Sequence, residues 1–270
     1  MTQKPPAADN AAANSTRGGG HGARGSDDVA PSDDARPEQN KLLASLKGDE
    51  RARIFARLEL VPLKLGQILC EAGQPFEHGY FPTAGIVSIL YVMENDASAE
   101  IAVVGNEGMV GVALFMGGES TLSRAIVQNA GHAYRLTAQQ LKSEFTHSGM
   151  LQIVLLQYAH TLITQMVQTA ACNRHHTVDQ QLCRWLLMSL DRLPSNQLHM
   201  TRRLIGNMLG ISVSDVDAAA AILEQAGMIR FDSGNISVVD RAAIELRSCE
   251  CYGVVKREGD RLDLAAAAAA

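Results

Sequence analysis

The sequence predicts an α+β chain: a glycine-punctuated β-roll, then one long helix, then a helix-turn-helix closed by a hairpin. Three observations carry that expectation. Short apolar runs (Gln67 to Cys70, Ile86 to Val92, Glu100 to Val104, Ala125 to Gln128, His132 to Leu136) are separated by Gly66, Gly73, Gly79, Gly85, Gly105 and Gly131. Many short strands broken by glycine read as a sandwich or roll. Leu151, Val154, Leu155, Tyr158, Leu162 and Met166 then recur at helical spacing, and two capped, apolar-periodic segments meet at Gly210.

Composition sets the outer bounds. The 270 residues carry a net charge of −5, with 46% hydrophobic, 20% charged and 4% aromatic residues, which suits a globular protein with a sizeable core. No unbroken apolar stretch reaches the ~18 to 20 residues of a membrane span, and the N-terminus lacks the basic-then-apolar order of a secretion signal. A cytoplasmic protein with no membrane partner is expected. Cys70, Cys172, Cys183, Cys249 and Cys251 are odd in number and scattered, so reduced thiols are expected rather than a disulfide framework. The acidic balance excludes holding nucleic acid by bulk charge; any such function needs a local site.

Taken in order, residues 1–40 lack Leu, Ile, Phe, Tyr and Trp and read as a disordered tail. Its RGGGHGARGS stretch resembles a glycine-rich nucleic-acid contact, but Asp27, Asp28, Asp33 and Asp34 offset Arg17 and Arg24, so a solvated linker is the expectation. The roll is placed at 41–147, opening with two short helices on Leu42, Leu43 and Leu46 and on Ile54, Phe55 and Leu58. The long helix is placed at 148–172. Its length and its polar residues Gln157, Thr161, Gln165 and Gln168 suit pairing with its twin in a homodimer, with burial against its own domain as the alternative.

Residues 173–247 form the third module. Thr177 with Gln180 is a capping box opening a helix through Leu190 that buries Leu182, Trp185 and Leu186, with Pro194 closing it. Thr201 caps a helix carrying Leu204, Ile205 and Leu209; Ser212 with Asp215 caps the next, whose buried face is Val216, Ala219, Ala220 and Leu223. After Gly227, Met228 to Phe231, the turn from Asp232 to Asn235, and Ile236 to Val239 make a hairpin, completing a winged helix-turn-helix. Residues 248–270, ending in the Ala265 to Ala270 run, read as a tail.

Several local motifs fall in this order: Leu65-Gly66-Gln67-Ile68-Leu69 followed by Gly73; Tyr80-Phe81-Pro82 before Gly85-Ile86-Val87-Ser88; Thr201-Arg202 with Ile205-Gly206 and Leu209-Gly210; and Leu223-Glu224 with Gly227-Met228-Ile229. Together, over roughly residues 40 to 250, the chain resembles the Crp/Fnr family of bacterial transcription regulators. The resemblance implies a cyclic-nucleotide-binding-like roll that senses a small molecule, a dimerising long helix, and a second motif helix that enters the DNA major groove.

Family members that bind cyclic AMP surround the ribose and phosphate with a segment beginning Gly-Glu-Leu, and a downstream Arg bonds the phosphate. The matching stretch runs Gly111-Val112-Ala113-Leu114-Phe115 to Ser123-Arg124-Ala125. Arg124 matches the phosphate arginine, whereas Val112 replaces the ribose carboxylate and leaves a hydroxyl unpaired, at a cost of ~1 to 3 kcal/mol. The pattern therefore departs from a cyclic AMP site. It points to an unknown anionic effector, a nucleotide among the options, at Arg124 and Gly111 with Glu107 as a shifted carboxylate; a salt-bridged surface arginine is the alternative reading of Arg124.

No cofactor or metal is expected. The family's oxygen-sensing iron–sulfur cluster needs closely spaced cysteines near the N-terminus, and Cys70 stands alone there. His175-His176, near Cys172 and Cys183, show no tetrahedral spacing and read as a polar hinge; Cys249-x-Cys251 is too sparse to ligate a metal alone and reads as packed thiols. No nucleophile is seen beside a base and no carboxylate pair is placed for acid–base work, so no enzyme is expected.

The reading helix is unusual. Its outward face, Val213, Ser214, Asp217, Ala218 and Ala221, lacks the Arg, Lys, Asn or Gln that read base edges, and no Lys or Arg lies between Arg203 and Arg230. Over 196–247 six acids face five arginines. Arg202, Arg203, Ser212 and Ser214 are the DNA-contact candidates, suited to phosphates more than bases. The alternative is that residues 212–225 dock a protein partner.

Overall fold

The computed structural model describes residues 35–268 except Asp96, Glu119, Ser148 and Ser233. Residues 1–34 of the expected tail, with its glycine-rich stretch, lie outside the described residues, as do the last two alanines. The described chain opens on a 3-10 turn, Pro37–Gln39, followed by α1 (Lys41–Ala44) and α2 (Gly48–Phe55). Asn40 caps α1 by accepting from the Leu42 and Leu43 amides, and its own side-chain amide donates to the Pro82 and Gly108 carbonyls. One buried polar side chain thus satisfies a helix end and ties it to the roll.

The roll is one antiparallel sheet in the order β1-β5-β3-β4, with β2 also paired to β5. Its strands are β1 (Glu59–Leu63), β2 (Ile68–Cys70), β3 (His78–Val92), β4 (Ser98–Val104) and β5 (Ser123–Thr137). β1 escapes a sequence reading because Pro62 sits inside it, which an edge strand tolerates. The runs expected as separate strands, Ala125 to Gln128 and His132 to Leu136, belong to one 15-residue strand, and Gly79 and Gly85 lie within β3. The glycines mark bends here, not ends. A Cβ on Gly131 would stand 2.2 Å from the Ala84 carbonyl oxygen, where the β3–β5 register shifts, so only glycine lets the two backbones cross so closely.

α3 (Ala138–Thr146) leads into α4 (Met150–His175). Gly149 offers α4 no capping side chain; the Glu50 carboxylate of α2 accepts from the Met150 and Leu151 amides instead. The predicted stripe Leu151, Val154, Leu155, Tyr158 and Leu162 is buried in the roll core, with Met166 packed against it. The own-domain alternative therefore describes this face. Of the polar residues, Thr161 and Gln165 are buried, and the Gln165 amide donates to the Val103 carbonyl while its carbonyl accepts from the Val103 amide, completing the open edge of β4. The surface left open on α4 is instead Ile153, Leu156, Ile163 and Val167, each about half exposed. Among the described residues α4 is by length and composition sufficient to cross a bilayer, yet its core face is that of a helix packed in a globular fold.

The winged module follows: α5 (Val178–Leu190), β6 (Gln197–His199), α6 (Arg202–Leu209), α7 (Val213–Gln225), β7 (Ile229–Asp232), β8 (Asn235–Val238) and α8 (Arg241–Arg247). Thr177 and Gln180 form the expected capping box, and Thr201 and Ser212 cap α6 and α7. Gly210 makes the turn at φ 69°. Val216, Ala219, Ala220 and Leu223 are buried as expected. The wing has a third strand, β6, so its order is β6-β8-β7. Its core runs on to Ile86, Leu90 and Val103 of the roll, which packs the two modules together.

The expected tail is helical over its described residues 250–268. Glu250–Ala268 form α9, which runs back antiparallel to α4, with Cys251 beside Gln168, Glu258 beside His160, and Leu262 in the roll core. The buried Tyr252, Val255 and Leu262, spaced 3 and 7 apart, give the helix one apolar side.

Candidate effector cleft and nucleic-acid interface

Gly111 and the 3-10 turn Val112–Leu114 edge a cleft of about 90 Å³ between the roll and α4. Phe76, Ile89, Val104, Met109, Leu162 and Met166 make its lining largely apolar, with Thr121 and Ser123 the hydroxyl-bearing exceptions. Arg124 is not among the lining residues, although its neighbours Ser123 and Ala125 are, because successive strand residues face opposite ways. Its Nε is 2.7 Å from Glu71 Oε1, and that guanidinium holds the Glu71 carboxyl below its ordinary range.

Glu107 lies elsewhere. It accepts at 2.7 Å from Arg192 Nε, whose Nη1 reaches the Met188 carbonyl, and it lines a larger cleft of about 280 Å³ with Asp191, Tyr252 and Lys256. The fold therefore does not bring Arg124, Glu107 and Gly111 to one site.

Between roll and winged module lies a buried polar cluster that sequence reasoning missed. Glu100 of β4, Trp185 and Arg184 of α5 and Gln165 of α4 surround one small cavity. Glu100 Oε2, Trp185 Nε1 and Arg184 Nε have no hydrogen-bond partner among the described residues. Burial pushes the Glu100 carboxyl up to about 7, with Ser88, Arg184, Arg192 and Trp185 pulling the other way. A lone Glu in an alternating strand carries no sequence mark of its burial. Cys172, His176, Cys249 and Cys251 are likewise brought together, although 73 positions separate the residues of the inner pair, His176 and Cys249. The Cys249 and Cys251 thiols are packed, as expected, and α9, whose return along α4 delivers this pair, packs them against Cys172 and His176.

At the reading helix, Val213, Ser214, Asp217, Ala218 and Ala221 are exposed. Arg202 Nε pairs with Asp217 at 2.6 Å while its guanidinium lies 4.1 Å over the Phe231 ring. Ser212 Oγ accepts from the Asp215 amide, donates to the Asp215 carboxylate and touches Ser214 Oγ. Arg203 and Arg230 are exposed, whereas Arg192 and Arg241 are held in ion pairs with Glu107 and with Asp191 and Glu245.

A roll joined by a long helix to a winged helix-turn-helix is the architecture of a transcription regulator with two modules on one chain. A cyclic nucleotide-binding domain family matches residues 60–148 and a Crp-like helix-turn-helix domain family matches residues 180–247. The chain belongs to the Crp/Fnr family, whose members are transcription factors and not enzymes. Among solved structures it is similar to FixK2 from Bradyrhizobium japonicum, with a TM-score of 0.62 and 16% identity over 71% of this chain and 98% of that one. It is also similar to the c-di-GMP responsive global regulator CLP of Xanthomonas campestris (TM-score 0.56, 16% identity, 70% of this chain and 97% of that one). A third similar structure is a transcriptional regulator of the CRP/FNR family from Thermus thermophilus (TM-score 0.56, 18% identity, 70% of this chain and 98% of that one). At these identities the likeness speaks for the fold. No curated protein matches the chain.

Proposed function

We propose that this chain is a homodimeric, effector-gated transcription regulator that holds duplex DNA through phosphate contacts and shape rather than through the base code. The observation that carries it is the reading face of α7, where exposed Ala and Val replace base-reading side chains and Asp217 occupies the Arg202 guanidinium. Contacts left to such a module are Arg203, Arg230, the Ser214 hydroxyl and the backbone amides at the start of α6. Pairing through α4 is supported by Ile153, Leu156, Ile163 and Val167, whose 3-7-4 spacing keeps them on the side away from the core. For an anionic effector, Arg124 is the available cation once it exchanges Glu71 for the ligand, outside the apolar cleft at Gly111.

The test is fluorescence anisotropy of the full chain against a mixed-sequence duplex across salt, with and without cyclic mono- and dinucleotides. With the two exposed arginines per protomer, the expected slope of log K against log salt is about −4 for a dimer. Strengthening by one nucleotide, abolished in Arg124→Ala, is the expected effector signature. Absence of binding at low salt in every condition would overturn the reading in favour of protein docking on residues 212–225, whose exposed Val213 and Ile222 would then be the contact side chains.

A further inference from the structure

The end of α4, the hinge into α5 and the start of α9 meet at a cluster that neither DNA contact nor the effector cleft uses. Cys172 and His176 are one turn apart on α4 and its C-terminal cap, while Cys249 and Cys251 flank the first residue of α9. Their ligand atoms all lie within 4.8 Å of one another. Cys172 Sγ is 3.6 Å from Cys249 Sγ, and Cys251 Sγ is 3.5 Å from His176 Nδ1. A tetrahedral ion with Zn–S bonds of about 2.3 Å and a Zn–N bond of about 2.0 Å sets S–S edges near ~3.8 Å and S–N edges near ~3.5 Å. Both close edges fall near those lengths.

The surroundings fit the same chemistry. All three sulfurs belong to buried residues that form a small cluster of their own, while the His176 side chain keeps some exposure through which an ion can enter. The Glu250 carboxylate lies 3.2 Å from His176 Nε2, so the imidazole is held on that side and turns Nδ1 toward the sulfurs, the carboxylate–histidine–metal arrangement. Gln168 Nε2 donates to Cys251 Sγ at 3.2 Å, and the N-terminus of α9 adds positive potential beside the thiolates. Cys183, although nearby in sequence, is no member of the cluster.

We propose that Cys172, His176, Cys249 and Cys251 form a Cys₃His site for one divalent ion of the zinc type. The ion clips the start of α9 to the hinge at His176 and Thr177, the joint through which the roll and α4 connect to the winged module. Four donors this close suit one ion; an iron–sulfur cluster, with its ligands carried on separate irons, needs a wider set.

The test uses the full chain purified from zinc-replete cells under reducing, chelator-free conditions. Elemental analysis is expected to find one zinc per chain, and zinc-edge X-ray absorption three sulfur neighbours and one nitrogen. The Cys249→Ser/Cys251→Ser double variant is expected to lose the ion and Cys70→Ser/Cys183→Ser to keep it. Glu250→Ala should weaken affinity about 10- to 100-fold in a chelator competition. Cobalt added to metal-stripped wild type should give thiolate-to-cobalt charge-transfer and tetrahedral d–d bands. Wild type with no stoichiometric zinc and no cobalt–thiolate band overturns the proposal, as do iron with acid-labile sulfide or a Cys172–Cys249 disulfide in anaerobically isolated protein. The absorption and cobalt measurements need no variant, so misfolding of the double variant leaves the test intact.

Discussion

Replacing Glu100 by Gln probes the junction between the two modules. Glu100 is 8% exposed and its carboxyl is pushed from an ordinary 4.5 up to about 7. The folded protein therefore holds a proton there that the unfolded chain releases, so the stabilisation is complete below about 4.5 and is lost as pH rises to about 7. Each pH unit in that window costs about 1.4 kcal/mol, or about 3 kcal/mol by pH 8. Glu100→Gln keeps the neutral shape and removes the ionisation. Urea unfolding followed by the fluorescence of Trp185, the one tryptophan and a neighbour of Glu100 in the same small cavity, is the matched assay. The variant is expected to equal wild type near pH 4.5 and to exceed it by about 3 kcal/mol at pH 8. Taking the difference between the two proteins cancels groups shifted the other way, such as Asp179, held below its ordinary range with help from Arg247. A difference that stays flat from pH 4.5 to 8 would refute the reasoning.

Asp217→Asn should free Arg202 for phosphate, steepening the salt slope of DNA binding by about 2 per dimer; an unchanged slope in the anisotropy titration would mean that Arg202 stays on Phe231. Ile163→Glu with Val167→Glu places charge on the open face of α4 and should leave a folded monomer in sedimentation equilibrium, whereas persistence of a dimer would move the interface elsewhere. Gln165→Leu strips the Val103 amide and carbonyl of their buried partner and should cost about 1 to 3 kcal/mol in chemical unfolding; an effect within error would show that water replaces the amide.

The winged module was the most legible part of this chain. Caps at Thr177, Thr201 and Ser212, the left-handed Gly210 and the apolar positions of α7 are local features, settled within a turn or two of backbone, and they fold as the spacing indicates. The roll was legible as a class but not strand by strand. Glycine suggested breaks, whereas Gly79, Gly85 and Gly131 sit inside two long bent strands whose crossing depends on a partner 40 or more residues away.

By itself the sequence determined the order of the roll, long helix and winged module, the helix caps of the winged module and the poverty of the reading face, since each follows from residue type, period and near neighbours. Only the tertiary structure decided which side of α4 is core, that Arg124 faces Glu71 and not the cleft, that Glu100 is buried against Trp185 and Arg184, and that Cys172 and His176 meet Cys249 and Cys251. The physical reason is common to all four. Burial, ion pairing and ligand geometry belong to packed surfaces drawn from distant segments, and α9 closing on α4 brings together thiols that the chain keeps far apart.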